Sequence, residues 1–257
     1  MPLKEKARRI GLARALSKLG YCSRSLAAEL VRAGRVRLNG SVQRDPEKPV
    51  RIDSNRIVVD EHEATPQKKI YLMMNKPRGL VTTASDEKGR ETVYSVLASG
   101  GESLPWVAPV GRLDKASEGL LLLTNDSEWG ARVTAPETHL EKTYHVQIAS
   151  IGSDGMIAAL LCGVSVEGQI LRVKECRLLR SGEKNCWLEI ILEEGRNRQI
   201  RRMLASLGVE VLRLLRVSIG PLQLGPLAKG KYRRLSAEEK LALDRAMRKR
   251  SSSVHGQ

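Results

Sequence analysis

Apolar positions along the chain follow two different rhythms. Near the start they recur with helical spacing, and Ile10, Leu12, Ala13, Leu16 and Leu19 share one face before Gly20 ends the run. A second helix is predicted over 24–33, with Ser23 as its cap, Leu26, Ala27, Leu30 and Val31 as its apolar side, and Gly34 as a left-handed closing residue. Alternation then takes over. Val36-Arg37-Leu38 reads as a strand, Asn39-Gly40 as a tight hairpin turn, Val42 as the start of the return, and Ile57-Val58-Val59 as a last short strand. Residues 61–69 are polar, contain Pro66 and lack periodicity, which reads as a linker.

Beyond the linker, strands alternate with helices. Strands are predicted over 70–74, 80–83, 120–124, 143–149, 171–179, 186–192 and 209–217, and helices over 92–97, 127–133, 154–161 and 197–207. The fold class expected from this order is α+β. A small N-terminal αα-plus-hairpin domain occupies 8–60, and a second domain over 70–235 is built on a large mixed, mostly antiparallel sheet. Residues 236–257 form a basic tail that is helical in pattern to about residue 250 and reads as disorder over 251–257.

Charge narrows the partner. The formal net charge is +15, and residues 1–60 alone carry 14 Lys and Arg against 6 Asp and Glu. A polyanion is implied, and nucleic acid is favoured over a membrane because no apolar stretch approaches a spanning length. Within the small domain, Arg14, Lys18, Arg24, Arg35 and Arg37 fall mostly off the apolar faces and are the candidate phosphate contacts. Cys22, Cys162, Cys176 and Cys186 show no paired spacing and suit reduced thiols, so no metal site is expected. No apolar run follows the early cations, so no secretory signal is read and a cytoplasmic location is expected. Neither a glycine-rich phosphate loop nor a dinucleotide fingerprint occurs.

Candidate chemistry gathers in the second domain. Asp114 stands between cations and the Gly-led apolar run 119–123, where the chain passes from loop to buried strand. A carboxylate there is either a turn or capping residue or a rigid, partly dried nucleophile or base. Lys76-Pro77-Arg78-Gly79 reads as a turn that displays two cations. Tyr144 shares a strand face with Val146 and points inward, either as core or with its hydroxyl available to a site; His145 takes the opposite face. Residues 194–204 place four arginines where a strand hands over to a helix, with Ile200, Met203, Leu204 and Leu207 as the buried stripe. Arg201 flanks that stripe and needs a partner when partly buried, a role a carboxylate such as Asp114 would suit.

Together these segments resemble the pseudouridine synthases that modify ribosomal RNA. The resemblance rests on Gly111-Arg112-Leu113-Asp114, on Gly119 through Asp126, on Lys142-x-Tyr144-x-Val146, on Glu194-Gly195-Arg196-x-Arg198-Gln199-Ile200-Arg201-Arg202-Met203, and on Lys76-Pro77-x-Gly79. Residues 8–60 resemble the RNA-binding module named after ribosomal protein S-four, through Leu19-Gly20-x-x-Ser23-Arg24 and Gly34-x-Val36-x-Leu38-Asn39-Gly40.

The resemblance implies isomerisation of uridine to pseudouridine within RNA, without metal or organic cofactor. It assigns Asp114 as the nucleophile, which attacks the ribose or the uracil ring or assists glycosidic cleavage before the base turns and re-bonds through C5. Tyr144 becomes the residue that packs on the base and a candidate general base for the proton lost late in the reaction, Arg201 the cation that ion-pairs with Asp114, and Arg112 the residue that fills the space left by the flipped nucleotide. Lys76 and Arg198 join the RNA contacts. Ser117 and Ser127 depart from the commoner threonine and glycine of the family. The wording of 196–199 resembles the large-subunit enzymes more than the small-subunit ones. The expected partner is therefore ribosomal RNA or a ribosome-assembly intermediate, with large-subunit 23S RNA ahead of small-subunit 16S RNA and transfer RNA, and the expected working form is a monomer. The reading from another class is a non-catalytic RNA-binding assembly protein, against which the set Asp114, Tyr144 and Arg201 argues.

Overall fold

The structure, a computed structural model, describes residues 9–83 and 89–248, and the chain divides into two compact units. Among the described residues, the first unit holds those up to Tyr71 together with Glu102–Ala108 and Thr124–Trp129; the second holds the rest.

In the first unit the elements are β1 (Ile10–Gly11), α1 (Leu12–Lys18), α2 (Arg24–Arg32), β2 (Val36–Leu38), β3 (Ser41–Gln43), β4 (Pro49–Val50), β5 (Ile57–Val59) and β6 (His62–Glu63). The first helix starts two residues later than its periodicity suggests, because Ile10 and Gly11 pair with Val50 and Pro49. Ser23 caps α2 by accepting from the Leu26 amide at 3.1 Å. Asn39 and Gly40 both take positive φ, 50° and 89°, as a tight two-residue hairpin turn demands. Strands run in the order β3-β2-β5-β6, and Leu12, Leu16, Ala27, Val31, Val36, Ile57 and Val59 make the core. The stretch read as linker begins inside this sheet, since His62 and Glu63 pair with Val59 and Val58. Both residues are exposed on an edge strand that buries no face, so no alternation marked them.

The rest of the chain contributes β7 (Tyr71–Lys76), α3 (Val93–Ala98), β8 (Ala108–Val110), β9 (Glu118–Thr124), α4 (Ser127–Thr134), β10 (Lys142–Ile148), α5 (Asp154–Cys162), β11 (Val164–Val166), β12 (Gln169–Leu171), β13 (Glu175–Ser181), β14 (Cys186–Leu192), α6 (Gln199–Ser206), β15 (Val211–Ile219), β16 (Leu222–Gln223), β17 (Tyr232–Arg234) and α7 (Ala237–Arg248). Among the described residues, nine strands form one mixed sheet in the order β13-β14-β10-β15-β9-β7-β17, with β16 against β15 and β8 against β9. Of the two long strands joined in parallel, β9 and β15, β9 is buried at all seven positions, which explains a run of four leucines where alternation would otherwise appear.

Three expectations are corrected. Residues 80–83 form no strand; Val81 makes a single bridge to Thr92. The strand over 171–179 is two, because Val173 turns its amide to Leu160 and Lys174 begins the pairing with Ile191. The helix over 197–207 starts at Gln199, since Arg198 is left-handed at φ 48°. The tail is helical to Arg248, and the disorder expected over 251–257 falls outside the described residues.

Gly119 lets β9 approach β15. Its φ is 102°, and a Cβ there would lie 2.3 Å from the Arg216 carbonyl oxygen and 2.9 Å from the Arg216 nitrogen, both backbone atoms. Gly119→Ala is expected to cost roughly 3 kcal/mol or more, read as a fall of about 6 °C or more in Tm. An unchanged Tm would mean that the two strands part freely.

Candidate active site

Asp114 lies in the loop between β8 and β9, and its backbone is held from two sides. Thr82 Oγ1 donates to the Leu113 carbonyl at 2.7 Å and accepts from the Leu113 amide at 3.3 Å. From beneath, Lys76 Nζ donates to the carbonyls of Asp114 at 3.2 Å, Ser117 at 2.9 Å and Pro77 at 3.1 Å. All three ammonium protons thus have acceptors. Lys76 is fully buried, and loss of water pushes its ammonium down from 10.5 to about 8, against the pull of Asp114 and Glu118. It is no displayed RNA contact, as its place beside Pro77 and Gly79 suggested. Arg78 is the exposed cation of that turn, with Nη1 3.5 Å from the Leu212 carbonyl.

The Asp114 carboxylate is about one-third exposed and meets Arg198, with Nη1 3.4 Å from Oδ2. Arg201 does not take that place. Its Nη1 donates to the Val211 carbonyl at 3.1 Å and its Nη2 to the Ala116 carbonyl at 3.0 Å, so it ties the Asp114 loop to β15 through backbone. Burial and the neighbouring Arg198 cation press Arg201 downward from the ordinary arginine value, while Asp114 opposes them. The expectation that a flanking, half-buried guanidinium needs a partner holds, but the partners are carbonyls, which satisfy a fork of donors without a second charge.

Asp114, Tyr144, Arg201, Arg112 and Arg198 border one cavity of about 660 Å³. Tyr144 is buried, on the same face of β10 as Lys142 and Val146, as strand parity predicted. His145 faces the other way and meets Glu189 at 3.3 Å. Leu192, Leu214 and Ile219 add apolar surface from the neighbouring strands, and a cavity of this size suits a nucleotide.

Three contributors escaped the sequence. Gln199 is buried, and its Nε2 donates to Glu194 Oε1 at 3.0 Å and to the Arg172 carbonyl at 3.1 Å, while its Oε1 accepts from the Arg196 amide at 3.3 Å. That fixes the loop which carries the arginines. Lys142 and Arg216 place cations on the cavity-facing side of β10 and β15. For Lys142 the signal was there: it has the strand parity of Tyr144 and Val146.

In the first unit, Arg14 and Arg37 are exposed and form no ion pair among the described residues. Arg24 pairs with Glu47 at 3.2 Å, Lys18 with Glu128 at 2.5 Å, and Arg35 grips both Asp60 oxygens. Among the described residues no cluster of His, Cys, Asp and Glu could hold a metal, and no helix is long and apolar enough to cross a membrane.

Comparison with known proteins identifies the family. Residues 70–206 match the family model described as RNA pseudouridylate synthase, and residues 10–66 match the S4 domain. A protein of Aquifex aeolicus (strain VF5) named an uncharacterized RNA pseudouridine synthase is 35% identical over 233 residues, covering 90% of this chain and 92% of the relative. One of the same description from Bacillus subtilis (strain 168) is 34% identical over 226 residues, covering 87% and 94%. A solved structure titled as a pseudouridylate synthase superposes with a TM-score of 0.61 at 31% identity, covering 91% of this chain and 99% of that one. With an S4 domain ahead of a synthase domain that holds an aspartate, a tyrosine and a ring of arginines around one cavity, this chain belongs to the RNA pseudouridine synthases, isomerases of uridine in RNA.

Proposed function

We propose that the chain isomerises one uridine of ribosomal RNA, in the large subunit, with Asp114 as the reacting carboxylate, Tyr144 as the platform for the base and Arg112 as the side chain that replaces the flipped nucleotide. The observation that carries this reading is the placement of Asp114 and Tyr144 on one cavity whose lining combines several cations with the apolar side chains of Leu192, Leu214 and Ile219. Glycosidic chemistry needs the base out of its stack, which costs a few kcal/mol, and a planar guanidinium offers partial replacement. Arg201 serves as a positioning residue, since it fixes the loop through the Ala116 carbonyl. The large-subunit assignment is supported by the wording of residues 196–199. Pseudouridine mapping of ribosomal RNA from cells with and without the gene tests it: one large-subunit site should disappear with the gene. Loss of a small-subunit or transfer RNA site would move the substrate, and loss of no site would favour a binding protein.

The S4 domain is assigned to phosphate contacts. The logarithm of RNA affinity is expected to fall linearly with log salt, and the variant Arg14→Ala/Arg37→Ala to flatten that slope by roughly 1.5, about 0.7–0.9 for each phosphate that is no longer neutralised. Filter binding at several salt concentrations checks this. An unchanged slope would remove both residues from the interface.

A further inference from the structure

The cavity carries two cations, Arg216 buried and Lys142 half-buried, whose withdrawal from water the fold alone does not explain. Arg216 stands across from Tyr144 in the pairing of β15 with β10, and Lys142 is two residues from Tyr144 on the same strand face. Arg216 is only 6% exposed. Its Nε donates to the Leu120 carbonyl at 2.8 Å, while its Nη2 is buried without a hydrogen-bond partner among the described residues. Lys142 Nζ donates to the Glu193 carbonyl at 3.2 Å. Loss of water and then the Arg216 charge press Lys142 down to about 8, against Glu193. The Glu193 carboxylate is itself engaged, by Lys174 at 2.9 Å and His139 at 3.6 Å. Two desolvated like charges beside one cavity are costly, and an orphaned guanidinium nitrogen adds to the cost. The cost is offset when negative charge arrives in the cavity.

We propose, resting on the isomerase reading above, that Lys142 and Arg216 form an anion-stabilising floor that takes up the charge released onto uracil when its bond to ribose breaks. In that step the electron pair of the C1′–N1 bond leaves with the base and spreads over N1, O2 and O4, and C1′ is left electron-poor beside Asp114. After the ring turns, C5 supplies an electron pair to C1′, C5 gives up its proton and N1 takes one on. Atoms and electrons balance with no co-reactant. Donors set in place before charge develops act most strongly in a dry site. Uracil is favoured over a backbone phosphate because Leu192, Leu214 and Ile219 flank these cations with apolar surface suited to a ring, whereas Arg112, Arg196 and Arg198 offer exposed cations at the rim.

The test uses the full chain and transcripts of the ribosomal RNA segment that carries the mapped site, made with uridine or with 5-fluorouridine. Lys142→Met is expected to slow single-turnover conversion about 10²-fold, with RNA affinity within about two-fold and Tm unchanged or raised, because a desolvated charge is gone. Lys142→Arg should keep most of the rate. On 5-fluorouridine RNA, followed as loss of the starting nucleoside, the deficit of Lys142→Met should shrink several-fold, since fluorine itself stabilises charge on the ring. An equal deficit on both substrates with weakened RNA binding would overturn the proposal in favour of a phosphate contact. A rate unchanged by Lys142→Met would also overturn it. A wild-type chain inert on the transcript would defeat the isomerase reading first, and the floor with it.

Discussion

Asp114→Asn is expected to lower pseudouridine formation roughly 10⁴-fold or more, while RNA affinity stays within about three-fold. The amide keeps the size of the side chain and removes its charge. Little of the fold depends on that charge. The carboxylate is about one-third exposed, and its ion pair with Arg198 is long, at 3.4 Å. Pairs of that kind contribute about 0–1 kcal/mol, and the loop itself is held by backbone contacts from Lys76, Thr82 and Arg201 that the substitution leaves alone. A collapse in rate without a change in Tm would therefore report chemistry and not unfolding. Pseudouridine assayed on the mapped RNA, beside a binding isotherm and a melt, provides the comparison. Retention of even a tenth of the activity would remove Asp114 from the reaction.

The second large effect belongs to Lys76. Lys76→Met keeps the aliphatic volume but withdraws three donors, leaving the Pro77 and Ser117 carbonyls without the ammonium and Asp114 with only its bond from the Ser117 amide. At about 1–3 kcal/mol for each buried acceptor left unsatisfied, partly offset by removing a desolvated cation, the expected loss is roughly 2–5 kcal/mol. Activity measured well below the lowered Tm should still fall about 10²-fold, because a displacement of one ångström at the carboxylate is enough for that. Wild-type activity at low temperature would show that the clamp serves stability only.

pH supplies a separate signature. With its value lowered to about 8, Lys76 loses a proton as pH rises past 8, and a neutral amine has only two protons for three carbonyls. Turnover should then decline above about pH 8. Stability moves the other way: a folded value below the usual 10.5 means that this group's stabilising contribution is complete above 10.5 and is lost as pH falls through about 8. Lys142 titrates in the same window, so a Lys142→Met background isolates the part due to Lys76. A pH–rate profile paired with melts at each pH should show the two curves diverging. A rate that stays flat to pH 9.5 or so would rule out the clamp as an ammonium.

Much of the site was legible because it lies in local patterns. A Gly-led apolar run marks β9 and so puts Asp114 at its mouth, and strand parity turns Tyr144 inward. What stayed hidden depends on partners far along the chain. Lys76 looked solvated beside Pro77 and Gly79, yet two of its three acceptors lie 38 and 41 residues away. Arg201 was rightly given a need for a partner, but spacing does not distinguish a carboxylate from the carbonyls of Ala116 and Val211. Sheet order was equally out of reach. Nothing local says that β10 lies between β14 and β15, which is what brings Lys142, Tyr144 and Arg216 to one floor. The single bridge at Val81 shows the converse, an apolar fragment with strand composition whose pairing, among the described residues, amounts to one bridge with Thr92.

Arg198 carries one more implication. Its backbone is left-handed, at φ 48° and ψ 31°, immediately ahead of α6, a conformation that glycine or asparagine adopts with far less strain. A chain selected for robustness alone would put one of those two there. Instead the position holds the guanidinium that meets Asp114 and borders the cavity, so the strained backbone carries a side chain of the candidate site. Screens for heat tolerance should accordingly recover changes at position 198 that yield a hardier and slower enzyme.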